Sequence, residues 1–446
     1  MNFSIVGAGP CGIGAAHRLN SLGYQTWQVY ELSDHVGGLS ASFADDNGFT
    51  WDIGGHVLFS HYDYFDRAVE ESLQGEYYEH QRESWVRTCG TWVPYPFQNN
   101  VRYLPELVLQ ECVDGLRNLE GNLAGAANFS QWLDAVFGAG IVKHFMEPYN
   151  RKVWGTPLEQ MSKEWIAERV SVVDLARIER NIAEGRDDLS WGPNNTFRFP
   201  KRGGTGAIFS GIARRFPDRI MLTHELIEVD LAARELAFAN GRREYYDVLI
   251  TTIPLDIFIG LCKNVPARVH EAASQLIHNS GLIVGIGVEG KRRDSRCWMY
   301  FPEDNCPFYR VTNFHNYSPW NLPDGDISRY FSLMCETTYS SHKPVRRETI
   351  IEDTVQGLVN VGLLTTEERE RIISRYLIDI PYSYPVPSLG RDAALAVINP
   401  FLESQGVYSR GRFGAWKYEV GNMDHSFMQG VEVVERILTG AEESTF

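Results

Sequence analysis

Long apolar runs are missing from this chain. None reaches the ~18 consecutive residues that a membrane-spanning helix needs, so no segment is expected to cross a bilayer. An excess of basic charge is missing too. The 42 lysines and arginines stand against 57 aspartates and glutamates, a formal net charge of −15. A diffusely acidic surface repels a phosphate backbone, which argues against nucleic-acid binding. Any anionic ligand must be held by local arginines against the field of the whole molecule. Paired cysteines are absent as a pattern. The seven present (Cys11, Cys89, Cys112, Cys262, Cys297, Cys306 and Cys335) are odd in number and form no C-x-x-C. That reads as reduced thiols of a cytoplasmic protein. The first strand signal begins almost at Met1, so no secretory leader is expected, and the sequons at Asn128, Asn194 and Asn316 then carry no meaning. Internal repeats and low-complexity tracts are also lacking.

What is present is ordinary globular composition, 43% hydrophobic and 22% charged, over 446 residues. That length exceeds one ordinary core and predicts two or three domains. Residues 2–7 read as a buried strand ending in glycine, 10–22 as a helix and 25–30 as a second strand. This strand–helix–strand opening belongs to a doubly wound sheet. Residues 83–97 alternate, with turn signals at Gly90 and Pro94, and predict a hairpin. From about 104 to 185 the periodicity is helical, including the stretch from Trp165 to Ile182. Strands return over 226–250 with a hairpin turn at Gly241, and Val248–Ile253 reads as a sheet strand. Residues 281–289, 297–301 and 308–314 read as a second sheet, 347–361 as a helix, and 425–439 as a last amphipathic helix.

The sharpest local signal is Gly7-Ala8-Gly9-Pro10-Cys11-Gly12, which follows a strand and opens a helix. Glycines there let the backbone approach a pyrophosphate, and the helix N-terminus offers free N–H groups and a positive dipole end. Glu31 ends the second strand at the distance expected of a carboxylate that accepts ribose hydroxyls. Gly37-Gly38 follow closely. A second glycine pair just past the acidic residue resembles the FAD-binding superfamily that includes amine oxidases. The glycine-rich stretches around Arg412 and Asn422 lead into the last helix, whose N-terminus in that superfamily faces the flavin pyrimidine and favours negative charge.

Longer blocks narrow the resemblance. Trp51-Asp52-Ile53-Gly54-Gly55-His56-Val57-Leu58-Phe59-Ser60-His61-Tyr62 is similar to the histidine loop of eukaryotic-type UDP-galactopyranose mutases. So are Trp92 to Asn100, Pro148 to Trp154, Trp191 to Asn194, Thr205-Gly206, Cys297 to Arg310 and Ser409 to Glu432. The blocks run in order along nearly the whole chain. The resemblance implies an α/β protein in three parts. A discontinuous Rossmann-like FAD-binding domain takes 1–80, 200–262 and 405–446. A helical insert takes 100–190, and an antiparallel β-sheet domain takes 81–99 and 263–404.

It also implies an activity. In that family N5 of reduced FAD attacks C1 of the sugar as UDP leaves, and the covalent adduct lets the ring open and reclose. UDP-galactopyranose and UDP-galactofuranose are thereby interconverted with no net redox change, and oxidised enzyme is inactive. Carried onto matching positions, Arg169 and Arg310 resemble the pair that clamps the diphosphate, and His56 the histidine beside N5. Tyr317, Tyr384 and Tyr418 resemble tyrosines that hydrogen-bond the diphosphate or sugar. Asn194 and Trp298 resemble residues around the galactose. Tyr95, Phe97, Gln98, Phe145, Asn150, Trp154 and Tyr300 lie in blocks that resemble the uridine pocket. The cofactor set is Gly7, Gly9, Gly12, Glu31, Gly37, Gly38, Gly54, Gly55, Arg412, Asn422, Asp424 and Ser426. Segments 155–162 and 183–189 correspond to flaps that close over the nucleotide. NADPH or another reductant is the implied electron source.

There are departures. Met423 stands where glutamine is expected, the segment from Tyr317 to Ser332 is short, and the chain ends soon after its last helix, which leaves the oligomeric state open. The spacing of His56 and His61 does not suit a helical metal pair and no further ligand set stands out, so no metal is expected. Three other readings remain: a mutase of the same fold for another nucleotide sugar such as a 6-deoxyhexose, an amine-oxidase-like oxidoreductase, and a binding protein without turnover.

Overall fold

The computed structural model describes residues 1–119, 125–166, 173–189, 195–292 and 294–446. Its first layer is a five-stranded sheet in the order Val407–Ser409, Val248–Thr251, Phe3–Val6, Trp27–Tyr30, Ile220–Met221, with every pairing parallel. Phe3–Val6 is central and buried on both faces, as its unbroken apolar run requires. The helix Pro10–Ser21 follows it directly, and the last helix, Met423–Thr439, packs along that first helix. Two glycines permit the contact. A Cβ on Gly14 would lie 2.1 Å from the Phe427 carbonyl oxygen, and one on Gly430 would lie 2.0 Å from that of Cys11. Arg18, near the end of the first helix, pairs with Glu435, near the end of the last, at 2.9 Å. The two helices therefore run the same way and present their N-termini on the same side.

The second layer is a seven-stranded sheet in the order Ile372–Pro385, His278–Glu289, Tyr330–Tyr339, Arg310–Asn313, Trp298–Tyr300, Ser84–Thr88, Thr91–Pro94. Neighbours are antiparallel except Trp298–Tyr300 on Ser84–Thr88, which is parallel. Ser84–Thr88 and Thr91–Pro94 form the expected hairpin, turning through Cys89 and Gly90, both at positive φ. Over the helical stretch the structure has Glu106–Arg117, Phe129–Ile141, a π-turn at Val142–Met146, Glu147–Trp154 and Leu175–Glu184. Trp165 and Ile166 are not helical, which corrects the expectation of a helix starting there. Both are buried in a turn against the core, so their spacing reports burial and not period. No helix among the described residues is long and apolar enough to cross a membrane.

Candidate active site

The turn after the first strand is an open cradle. Gly7 has φ +100° and its N–H donates to the Tyr30 carbonyl. A Cβ on Gly12 would sit 1.9 Å from the Gly7 carbonyl oxygen, so this glycine is required by the protein's own packing. Gly9 differs: a Cβ there would meet only Gly38 Cα, at 3.8 Å. The space above Gly9 is not needed by the fold, and it lies at the N-terminus of a helix with no side-chain cap. Glu31 closes one edge. Its Oε2 accepts from Ala8 N–H at 2.6 Å and its Oε1 from Ser33 N–H at 2.9 Å. Gly37 and Gly38 form the other edge, with Gly37 N–H donating to the Ala8 carbonyl at 2.9 Å.

The loop bearing His56 is tied at both ends. Before it, Asp52 is fully buried and accepts from Thr205 Oγ1 at 2.6 Å and Ser42 Oγ at 2.5 Å. Burial nevertheless pushes the Asp52 carboxyl up to about 6. At the loop itself the backbone lies flat against Glu336. Gly55 N–H donates to Glu336 Oε1 at 3.0 Å, and a Cβ on Gly55 would stand 2.6 Å from Thr312 Oγ1. Glu336 also takes both arms of Arg310, at 2.6 Å from Nε and 2.7 Å from Nη2, and the Tyr309 hydroxyl at 2.9 Å. Glu336 is 3% exposed. Its burial opposes ionisation, but Arg310 outweighs that and holds its carboxyl below the usual range. One buried carboxylate thus orients Arg310, Tyr309 and the glycine pair together. Arg412 lies nearby, its Nη1 donating to the Gly421 carbonyl at 2.9 Å and its guanidinium 4.8 Å from the Tyr384 ring.

Aromatic rings wall the rest. Trp154, Trp165 and Tyr418 meet edge to face at 4.8–5.4 Å between centroids, and Tyr384 joins Tyr418 at 5.6 Å. Tyr384 Oη is 3.4 Å from Tyr309 Oη. Next to them Tyr95 packs on Tyr300 at 5.0 Å, and Trp298 Nε1–H donates to Tyr300 Oη at 2.6 Å. Arg82 lies over both Tyr95 and Trp298, at 5.3 and 4.9 Å. Tyr317 is wholly buried among Phe197, Phe199 and Phe314. Its hydroxyl has no partner among the described residues.

The dinucleotide signature is recognised as such: residues 5–71 match the family model of the NAD(P)-binding Rossmann-like domain. Among solved structures, the crystal structure of a reduced UDP-galactopyranose mutase aligns with 46% identity and a TM-score of 0.95. The alignment covers 100% of this chain and 95% of that one. The chain belongs to the UDP-galactopyranose mutase family. The same fold occurs in putrescine oxidase bound to putrescine (17% identity, TM-score 0.66, 98% of each chain). It occurs again in a CLA-producing fatty acid isomerase from P. acnes (13% identity, TM-score 0.66, 98% and 99% covered).

Of the expected site residues, the structure brings Arg412, Tyr384 and Tyr418 together, with Arg310 reached through Tyr309. Arg169 and Asn194 lie outside the described residues. Phe145 stacks with Phe97 at 4.6 Å and with Tyr149 at 5.2 Å between ring centroids. Asn150 Nδ2 donates to the Met146 carbonyl at 2.7 Å, four residues back, so that amide arm is engaged locally. Asp424, expected in the cofactor set, has its carboxylate bracketed by His61 and His425. That arrangement corrects the expectation that no further His/carboxylate set stands near His56 and His61. Gln98 and Ser426 are buried, and Asn422 caps the last helix with its backbone, its carbonyl accepting from Ser426 N–H at 2.8 Å. Sequence reasoning missed Glu336, Tyr309, Tyr149, Trp165 and Arg82. Only Glu336 carried a signal, as an acid inside the otherwise uncharged strand Tyr330–Tyr339.

His56 carries the clearest titration consequence. Its Nδ1 is enclosed and has no partner among the described residues. Burial first, and then Arg412, push its imidazole down to about 4 from 6.5. His17 and His315 are likewise pushed down to about 4, in both cases chiefly by burial. The folded protein refuses protons that the unfolded chain accepts, so these groups make stability fall as pH drops from about 6.5 toward 4. Replacing His56 with glutamine is expected to flatten that slope by about one proton, read from thermal midpoints of the two proteins across the window.

Proposed function

We propose that the chain is a UDP-galactopyranose mutase, an isomerase that interconverts UDP-galactopyranose and UDP-galactofuranose without net redox change, with reduced FAD as its cofactor. The observation that carries this reading is the match along the whole chain, at 46% identity, to a mutase solved in its reduced form. The residues present fit a flavin dinucleotide: the cradle is open above Gly9, and a buried His56 nitrogen awaits a partner. Bound and reduced, FAD supplies an electron-rich ring nitrogen able to bond an anomeric carbon.

The chain's own groups do the rest. The N–H groups following Gly9 hold a pyrophosphate, and Glu31 has lone pairs left for ribose hydroxyls. Arg310 gives Nε and one Nη2 hydrogen to Glu336, which leaves Nη1 for a diphosphate oxygen of the departing nucleotide. Arg169 is its partner in this reading. Arg310 and Arg412 supply local positive charge beside Glu336, which suits an anionic leaving nucleotide in a globally acidic protein. A neutral His56 offers hydrogen bonding at the ring edge without adding charge. Tyr317, Tyr384 and Tyr418 bring hydroxyls toward the sugar and diphosphate, with Trp298 at the sugar. Tyr95, Phe97, Gln98, Asn150, Trp154 and Tyr300 border the uracil. The edge-to-face rings of Trp154, Trp165 and Tyr418 form a packed apolar wall of the site.

The eukaryotic-type branch, the three-part domain division at the boundaries given above, a cytoplasmic location and reduction by NADPH or another donor belong to the same proposal. The test is anaerobic. Dithionite-reduced protein is given UDP-galactofuranose, and the nucleotide sugars are separated by chromatography beside a panel of UDP-6-deoxyhexoses. UDP-galactopyranose is the expected product. Faster conversion of a deoxyhexose would move the substrate assignment, and steady peroxide release from an amine would favour an oxidase.

A further inference from the structure

Outside the groups just assigned, two imidazoles and a carboxylate converge where the last helix begins. Asp424, in its first turn, is 2% exposed. Asp424 Oδ2 lies 3.2 Å from His61 Nδ1 and Oδ1 lies 3.0 Å from His425 Nδ1. The three donor atoms all fall within 4.8 Å of one another. Among the described residues, no lysine or arginine pairs with this carboxylate; its ion-pair partners are the two histidines. The site is also reachable, because the His61 side chain is 49% exposed.

We propose that His61, Asp424 and His425 bind one borderline divalent transition ion of the Zn²⁺, Co²⁺ or Ni²⁺ class. Two nitrogen donors out of three favour that class over Mg²⁺ and Ca²⁺, which take oxygen ligands. With metal–nitrogen bonds of about 2.1 Å, a tetrahedral ion holds two nitrogens about 3.4 Å apart, so donors that now lie within 4.8 Å of one another close by up to about 1.4 Å. The half-exposed His61 side chain can supply that movement. Three protein ligands leave a fourth position for water. Each ring must present a lone pair at Nδ1 and carry its proton on Nε2, so the ion displaces the hydrogens now shared with Asp424. The bound ion ties the segment that carries His56 to the first turn of the last helix. The proposal stands on these three side chains and does not depend on the mutase reading.

The test uses tag-free, full-length, flavin-loaded protein, stripped with a chelator and dialysed. Zn²⁺ is titrated in competition with a chromophoric chelator, and Co²⁺ is followed by its visible ligand-field absorption. One equivalent is expected to bind, with Mg²⁺ failing to compete. His61→Ala, His425→Ala and Asp424→Asn are each expected to weaken binding at least about tenfold. Zn²⁺ is expected to raise the thermal midpoint of the wild type and not that of His61→Ala. Absence of saturable binding, or unchanged affinity in both His61→Ala and His425→Ala, would overturn the site. Because His61 is half exposed, its variant is expected to fold, and a metal-free melt matching wild type checks that.

Discussion

Replacing Arg310 with alanine is expected to lower kcat/KM on UDP-galactofuranose about 1,000-fold, the effect of removing a donor aimed at transition-state charge. Stability falls as well, and the two losses need separating. Arg310 is the counter-ion of Glu336, which is 3% exposed, and stripping one partner from a buried pair costs about 3–5 kcal/mol. The double variant Arg310→Met, Glu336→Gln removes both charges and restores most of the stability by leaving no unpaired charge. Its activity should stay as low as that of the single variant, because the nucleotide still lacks its guanidinium. Arg310→Lys keeps the charge but not the planar fork, and its activity is expected to fall between that of Arg310→Ala and wild type. A double variant that folds, binds FAD and turns over at close to the wild-type rate would remove Arg310 from the diphosphate clamp.

The second large effect separates two glycines of one motif. Gly9→Val is expected to leave the flavin-free protein as stable as wild type, since its Cβ would meet nothing closer than Gly38 Cα at 3.8 Å and its φ is −73°. It is expected to weaken FAD binding about 100-fold or more, equivalent to about 3 kcal/mol, because the added bulk fills the space for the pyrophosphate. Gly12→Ala should do the reverse in kind. Its Cβ would stand 1.9 Å from the Gly7 carbonyl oxygen, so it destabilises the flavin-free fold itself, by about 1–3 kcal/mol or more. Flavin absorbance per mole of purified protein and flavin-free melting curves read the two effects apart. Fully yellow Gly9→Val protein would count against the cradle.

The sequence was most legible where chemistry is local. The strand–glycine turn–helix opening, the Gly90 hairpin and the last helix stand within a few residues of expectation, because turn geometry and helical period are short-range properties. Long-range structure was not legible. The strand Tyr330–Tyr339 is buried on nearly its whole length and mixes apolar with small polar residues, so it shows no period of two. Ile372–Pro385 is an edge strand whose solvent face carries Arg375 and Asp379. The helix Arg391–Ser404 contains Pro400, which reads as a breaker. The site follows the same rule. Arg310 was named from its motif. That Glu336 orients it, together with Tyr309 and the His56 loop, depends on strands that neighbour only in the folded sheet.

The central claim is ring interconversion that needs reducing electrons and consumes none. The direct measurement is the number of product molecules formed per electron pair. The protein is reduced anaerobically with one equivalent of dithionite, excess reductant is removed, and UDP-galactofuranose is supplied in large excess. The account predicts hundreds of molecules of UDP-galactopyranose per equivalent, with flavin absorbance still bleached at the end and no product from the oxidised protein. One product per electron pair, or equal turnover by the oxidised protein, would contradict it.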